Sequence, residues 1–146
     1  IYIKYTARPE KVKDKGSKAI TDAKGLYFIN ANGIDKNKPT QISTQGETEA
    51  NSAWFPTIDS PNQKTTQEIY ITVSNKYKTL SNGELVSQTK SGDNRTDYWK
   101  LDQKHAPYLA FMGIGEFEVI KDFYKNIPVN YYVEKEYGCF LLGEIN

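Results

Sequence analysis

The stretch TQGETEANSAWFPTIDSPNQK, residues 44 to 64, gathers the side chains best suited to recognition chemistry. Gln45 and Glu47 stand two apart, so in an extended chain they project to one side while Gly46 faces the other. That spacing presents one amide and one carboxylate to a single partner. The pair suits a primary ammonium group, with the carboxylate supplying charge and the amide a directional hydrogen bond. Gly46 has no Cβ and admits the close approach of a ligand or of another backbone. The same residues also make ordinary polar loops, and spacing alone leaves both readings open.

Other chemistries find less support. His105 is the only histidine and Cys139 the only cysteine, too few donors for a zinc cluster and no basis for an internal disulfide. Cys139, inside GCFLLG, reads as a small buried apolar residue, and His105 reads as structural. Glu116 and Glu118 have the residue types of a glycosidase pair, but sequence does not set their separation. Asn94-Arg95-Thr96 satisfies the glycosylation sequon, a short and unspecific match.

The elements that must hold the Gln45–Glu47 loop read as strands. Val, Ile, Thr and eleven tyrosines dominate the apolar segments, residue types that fit a pleated, half-buried surface. EIYITVSNKY (68 to 77) alternates strictly, with Ile69, Ile71 and Val73 on one face and Tyr70 and Thr72 on the other. GLYFIN (25 to 30), TDYWKL (96 to 101), YLAFMGIGEFEVI (108 to 120), PVNYYVEKEY (128 to 137) and CFLLGEI (139 to 145) complete the expected strands. Ile1, Ile3 and Tyr5 alternate in the same manner, so the chain opens as a half-buried strand. Asn82-Gly83 in LSNGEL predicts a tight hairpin. FPTIDSPNQKT has room for a short helical turn, and residues 8 to 24 read as a charged, solvated connector.

At 146 residues the chain is expected to be one domain, residues 1 to 146, of two packed antiparallel sheets or one strongly curved sheet. Nineteen basic residues against eighteen acidic ones leave a net charge of +1, which supplies no global field for nucleic acid. Locally, Lys4 to Lys24 is basic and Thr44 to Glu68 acidic, so the recognition loop sits in a negative neighbourhood. Beyond Tyr5, no aromatic residue interleaves with the basic run in the pattern of a nucleic-acid groove. No apolar run approaches the ~20 residues of a membrane span, and no basic-then-apolar leader opens the chain.

Read together, GLYFINANG, TQGETEANSAWFPTIDSPNQK, SNGEL, YWK and APYLAFMGIGEFEVIKD resemble, in order, the N-terminal domain of zinc aminopeptidases of the aminopeptidase N type, relatives of leukotriene hydrolase. The resemblance covers residues 25 to 137. It implies an all-β fold, a curved and mostly antiparallel β-saddle or sandwich-like domain, here truncated and cut from a longer chain. It also implies a catalytic domain of the same parent chain as partner, with zinc held there and peptides carrying a free N-terminus as substrates. Carried over by position, Glu47 would recognise the substrate's free α-amine, Gln45 would line the first side-chain subsite, and Gly46 lies between them. Pro56, Asp59 and Pro61 match a structural turn in which the aspartate caps backbone N–H groups, with Trp54 and Phe55 packed beneath it. The sequence departs from the complete family pattern by lacking H-E-x-x-H and the glycine-rich peptide-binding strand, so this polypeptide alone is expected to be non-catalytic. Two alternatives stand beside this reading: a stand-alone binding module for a glycan or protein on a tyrosine-rich face, and a parent that kept the fold and lost its catalytic residues.

Overall fold

Ile69, Ile71 and Val73 do share one face of strand β3 (Thr65–Ser74), and that face is the core. The computed structural model describes residues 1–12 and 23–138. The other strands are β1 (Gly25–Ile29), β2 (Gln41–Gln45), β4 (Lys78–Ser81), β5 (Glu84–Ser91), β6 (Asn94–His105), β7 (Met112–Gly115), β8 (Phe117–Tyr124) and β9 (Ile127–Glu134). They form three antiparallel sheets, ordered β1-β2-β7-β4, β3-β6-β5 and β8-β9. The first two pack face to face as an open, sandwich-like all-β domain. Ile71, Trp99 and Ile114 are buried between them, with Ile42, Leu80 and Met112 packed around.

The core face of β6 also carries charge. Arg95, Asp97 and Trp99 alternate toward the interior, opposite Val73, Ile71 and Ile69 of β3. Asp97 is fully buried and Arg95 nearly so. The Arg95 guanidinium donates from Nε and Nη2 to the two Asp97 oxygens, and Nη2 also donates to Tyr77 O at 2.8 Å. Thr79 Oγ1 donates to Asp97 Oδ2 at 2.6 Å while accepting from Trp99 Nε1 at 3.0 Å, and Gln88 Nε2 donates to Asp97 Oδ1 at 2.9 Å. Thr79 belongs to β4 and Gln88 to β5, so one carboxylate ties the two sheets together. On the outer face of the three-stranded sheet, Tyr70 and Tyr98 stack with centroids 4.3 Å apart and planes 2° from parallel.

Several expectations need correction. Asn82-Gly83 makes a tight turn, with Gly83 at φ 85°, yet β4 and β5 are not paired: β4 joins β7 and β5 joins β6. Asn82 accepts from Phe111 N at 2.6 Å and donates to Leu109 O at 3.0 Å, which turns the chain from one sheet into the other. The tight hairpins lie elsewhere, at Gly92-Asp93 between β5 and β6 and at Lys125-Asn126 between β8 and β9. Both use a left-handed residue, Gly92 and Lys125. The run 108 to 120 is not one strand but a 3₁₀ turn (Pro107–Leu109) followed by β7 and β8. β9 ends at Glu134, with a helical turn over 135–138. QISTQ, with Ile42 its only large apolar residue, forms β2 because β1 and β7 flank it on both sides. The helical turn falls at Asn51–Ala53, ahead of FPTIDSPNQKT. Residues 1 to 8 are not a strand: no neighbour among the described residues pairs with them, and Ile1, Ile3 and Tyr5 are all more than half exposed. Connector residues 13–22 and the expected strand with Cys139 lie outside the described residues.

The sheet-switching turn yields a stability test. A Cβ on Gly83 would sit inside the van der Waals shell of the Lys100 backbone, whereas one on Gly92 would meet open space. Both substitutions carry the left-handed cost of about 1–2 kcal/mol, and only Gly83→Ala adds a backbone clash. Gly83→Ala is therefore expected to destabilise by at least ~1 kcal/mol more than Gly92→Ala in urea unfolding.

Candidate functional site

β2 delivers Gln45 to the end of the four-stranded sheet, and the chain turns immediately afterwards over residues 47–50. The Ala50 N–H donates to Gly46 O at 2.9 Å, closing the turn, and the Glu47–Thr48 peptide is cis. The chain is thus not extended through Glu47, as a simple two-residue alternation supposes. The two side chains still come together, Gln45 Nε2 lying 3.5 Å from Glu47 Oε2. Both are exposed, while Gly46 between them is buried.

Close packing explains the glycine. A Cβ at Gly46 would overlap the Tyr108 carbonyl and the Asn51 side chain. The close approach foreseen for Gly46 is therefore made by the protein's own backbone, and Gln45 and Glu47 are the outward members of the triplet. They border a pocket of about 200 Å³ completed by Tyr108, Leu109, Ala110 and Phe111. That volume lies below the ~300–1,000 Å³ of a full ligand site. It is enough for one small polar group and open to a further wall.

The residue that fixes this loop is Asn51, which sequence reading missed. It is completely buried. Its Nδ2 donates to Pro107 O at 2.7 Å and Ala110 O at 2.9 Å, and its Oδ1 accepts from Trp54 Nε1 at 2.8 Å. Asn51 thereby joins the Gln45–Glu47 loop to the wall formed by residues 107 to 111. The available signal was the three-residue offset from Trp54, which places both side chains on one side of a helical turn. Asp59 Oδ2 accepts from Ser52 N at 2.7 Å, so the aspartate of the Pro-rich turn does cap a backbone N–H group. Trp54 and Phe55 meet edge to face, centroids 4.6 Å apart.

The electrostatics leave Glu47 available. Among the described residues no ion pair involves it, and its recorded side-chain partner is Gln45. Glu116, by contrast, is held by Lys135 at 2.9 Å and Lys76 at 3.5 Å. The Lys135 hydrogen bond and charge, with help from Lys76, hold the Glu116 carboxyl below its ordinary range. A carboxylate so engaged is a poor proton donor for glycoside cleavage. His105 Nδ1 lies 3.0 Å from Ala106 O, and its buried Nε2 has no partner among the described residues. No three His, Cys, Asp or Glu side chains among the described residues group as metal ligands. The described residues do not fit a zinc ion, and no metal-dependent step is assigned to them. No helix among the described residues is long and apolar enough to cross a membrane.

The two larger sheets thus form an open β-sandwich that holds a short acidic loop at one sheet end. The chain belongs to the peptidase M1 N-terminal domain family, whose model matches residues 17–109. It is 30% identical over 81 residues to "Probable aminopeptidase 1" of Sulfurisphaera tokodaii, covering 56% of this chain and 10% of that protein. It is 28% identical over 102 residues to tricorn protease-interacting factor F2 of Thermoplasma volcanium, covering 70% and 12%. It is also 29% identical over 104 residues to transcription initiation factor TFIID subunit 2 of Gallus gallus, covering 68% and 9%. Among solved structures, the M1 zinc metallopeptidase of Deinococcus radiodurans shares the fold with a TM-score of 0.55 at 17% identity, over 57% of this chain and 19% of that one. The matched region spans about a tenth of the length of these curated relatives.

Proposed function

We propose that this chain is the N-terminal β domain of a zinc-dependent aminopeptidase and supplies the recognition of the substrate's free α-amine. Glu47 carries the charge that binds the ammonium, Gln45 lines the first side-chain subsite, and Gly46 permits the loop to lie flat on Tyr108. The observation that carries the reading is the exposed Gln45–Glu47 pair, set on a loop clamped by buried Asn51 and free of ion pairs among the described residues. A carboxylate fixed in this manner measures one residue inward from the amine, which limits cleavage to the first peptide bond. Zinc and its ligands are assigned to the catalytic domain of the parent chain, where the metal activates water and polarises the scissile carbonyl.

Glu47→Ala in the full-length parent is expected to lower kcat/KM for an aminoacyl reporter by about 10- to 100-fold, the worth of a charged hydrogen bond of ~1.5–3 kcal/mol. The unfolding midpoint should stay within a degree or so, because Glu47 is exposed. Unchanged kinetics would remove the role. A second reading, a recognition scaffold that does not cleave, is favoured by the similarity to a transcription factor subunit. The stand-alone module draws on the exposed Tyr70–Tyr98 stack. An H-E-x-x-H helix in the parent reading frame decides against both.

A further inference from the structure

The sequence holds two Asn-Gly pairs, Asn32-Gly33 in the connection between β1 and β2 and Asn82-Gly83 in the turn between β4 and β5. Such a pair cyclises readily, because glycine has no Cβ to shield its nitrogen. We propose that Asn32 is a site of spontaneous deamidation and that the fold protects Asn82 from the same reaction. The Gly33 nitrogen gives its proton to solvent base and attacks Asn32 Cγ. The N–Cγ bond forms, the Cγ–Nδ2 bond breaks, and ammonia leaves with its third hydrogen supplied by the solvent. Water then opens the succinimide at either carbonyl, giving aspartate or isoaspartate, and is the one co-reactant consumed.

Asn32 and Gly33 are both exposed, and no recorded hydrogen bond to a described residue holds the Asn32 side chain. The connection is anchored by Asn30 instead, whose Nδ2 donates to Asp35 O at 2.8 Å and Lys38 O at 2.7 Å. Space is open as well: beyond its chain neighbours, a Cβ on Gly33 would have Thr40 Oγ1 at 4.0 Å as its nearest contact. One bond opposes the attack, from Gly33 N–H to Asn30 O at 2.9 Å, and it lies in a surface turn that opens locally. Asn82 differs in both respects. Its Nδ2 donates to Leu109 O and its Oδ1 accepts from Phe111 N, so Cγ swings toward the Gly83 nitrogen only when both bonds break. Gly83 is also pressed against the Lys100 backbone. Both glycines are left-handed, at φ 61° and 85°, so anchoring and room separate the two sites rather than glycine conformation. Conversion at Asn32 leaves the Asn30 anchor in place. The same conversion at Asn82 would remove the donor to Leu109 O and loosen the turn between the sheets. The inference is independent of the role assigned to Glu47.

Peptide mapping by mass spectrometry tests it on the full-length parent, kept in mildly alkaline buffer either native or unfolded in urea. In urea the two sites should react at comparable rates, since each is an Asn-Gly pair in an open chain. In the native protein Asn32 should be converted at least ~10-fold faster than Asn82, the factor expected when one turn bond opposes one reaction and two side-chain bonds with close packing oppose the other. Gly33→Ala, compared in urea so that folding plays no part, should slow conversion at Asn32 alone. Equal native rates at the two sites, an Asn32 amide that survives in the native protein while urea converts it, or an unaltered Asn32 rate in Gly33→Ala would overturn the proposal.

Discussion

Asp97→Ala is expected to lower the unfolding free energy by about 3–5 kcal/mol, because it leaves the buried Arg95 guanidinium without its counter-ion. Thr79 and Gln88 lose an acceptor at the same stroke, and Trp99 loses a well-oriented Thr79. The pair joins β4, β5 and β6, so the loss falls on the contact between sheets rather than on one strand. Replacing both charges, as Arg95→Met with Asp97→Leu, should cost less than Asp97→Ala alone, since no buried charge then remains unpaired. Urea unfolding of the three proteins measures this directly. A double variant worse than the single one would show that the ion pair itself is the stabilising feature.

The same network sets a pH dependence. Burial opposes the Asp97 charge, and hydrogen bonds from Arg95, Thr79 and Gln88 outweigh it, holding the carboxyl below its ordinary range. A depressed folded-state value means the unfolded chain takes up the proton first as pH falls. The stabilisation is present in full above the unfolded value of about 3.9 and is lost as pH drops through the lower folded value. The stability gap between wild type and Asp97→Asn should therefore be constant above about pH 4 and narrow as pH falls below it.

Asn51→Ala is the second large effect, about 3 kcal/mol or more. It strands two buried carbonyls and the Trp54 indole N–H, each worth ~1–3 kcal/mol when unsatisfied. Asn51→Asp is expected to be worse than alanine, although it is nearly isosteric. It turns a double donor into a carboxylate facing the Pro107 and Ala110 oxygens. Volume loss predicts the opposite order, so thermal unfolding of the two variants discriminates between packing and polar pairing as the role of Asn51. Because the same side chain joins the Gln45–Glu47 loop to residues 107 to 111, both variants should also loosen the recognition loop.

These residues show where sequence was informative. The period-two run at Ile69, Ile71 and Val73 located the core face of β3, since a strand buried on one face must alternate. Residue type and spacing made Gln45 and Glu47 candidates, the family resemblance suggested their roles, and the two side chains lie together although the chain is not extended through Glu47. Asn82-Gly83 shows the limit: turn chemistry fixes local dihedral angles but does not choose which strands pair. The Arg95–Asp97 pair lies in phase with Trp99 along β6, so the alternation placed charge on the core face, but partners from β4 and β5 are long-range facts. Asn51 belongs to the same class, a polar residue made structural by carbonyls more than fifty positions away.

The most direct test of amine recognition compares two substrates in the full-length parent, one with a free α-amine and its des-amino analogue, on wild type and Glu47→Gln. If Glu47 binds the amine, the substitution should reduce kcat/KM about 10- to 100-fold for the free-amine substrate and leave the des-amino analogue nearly unchanged. Equal losses on both substrates would contradict the assignment and place Glu47 among the residues that merely shape the loop.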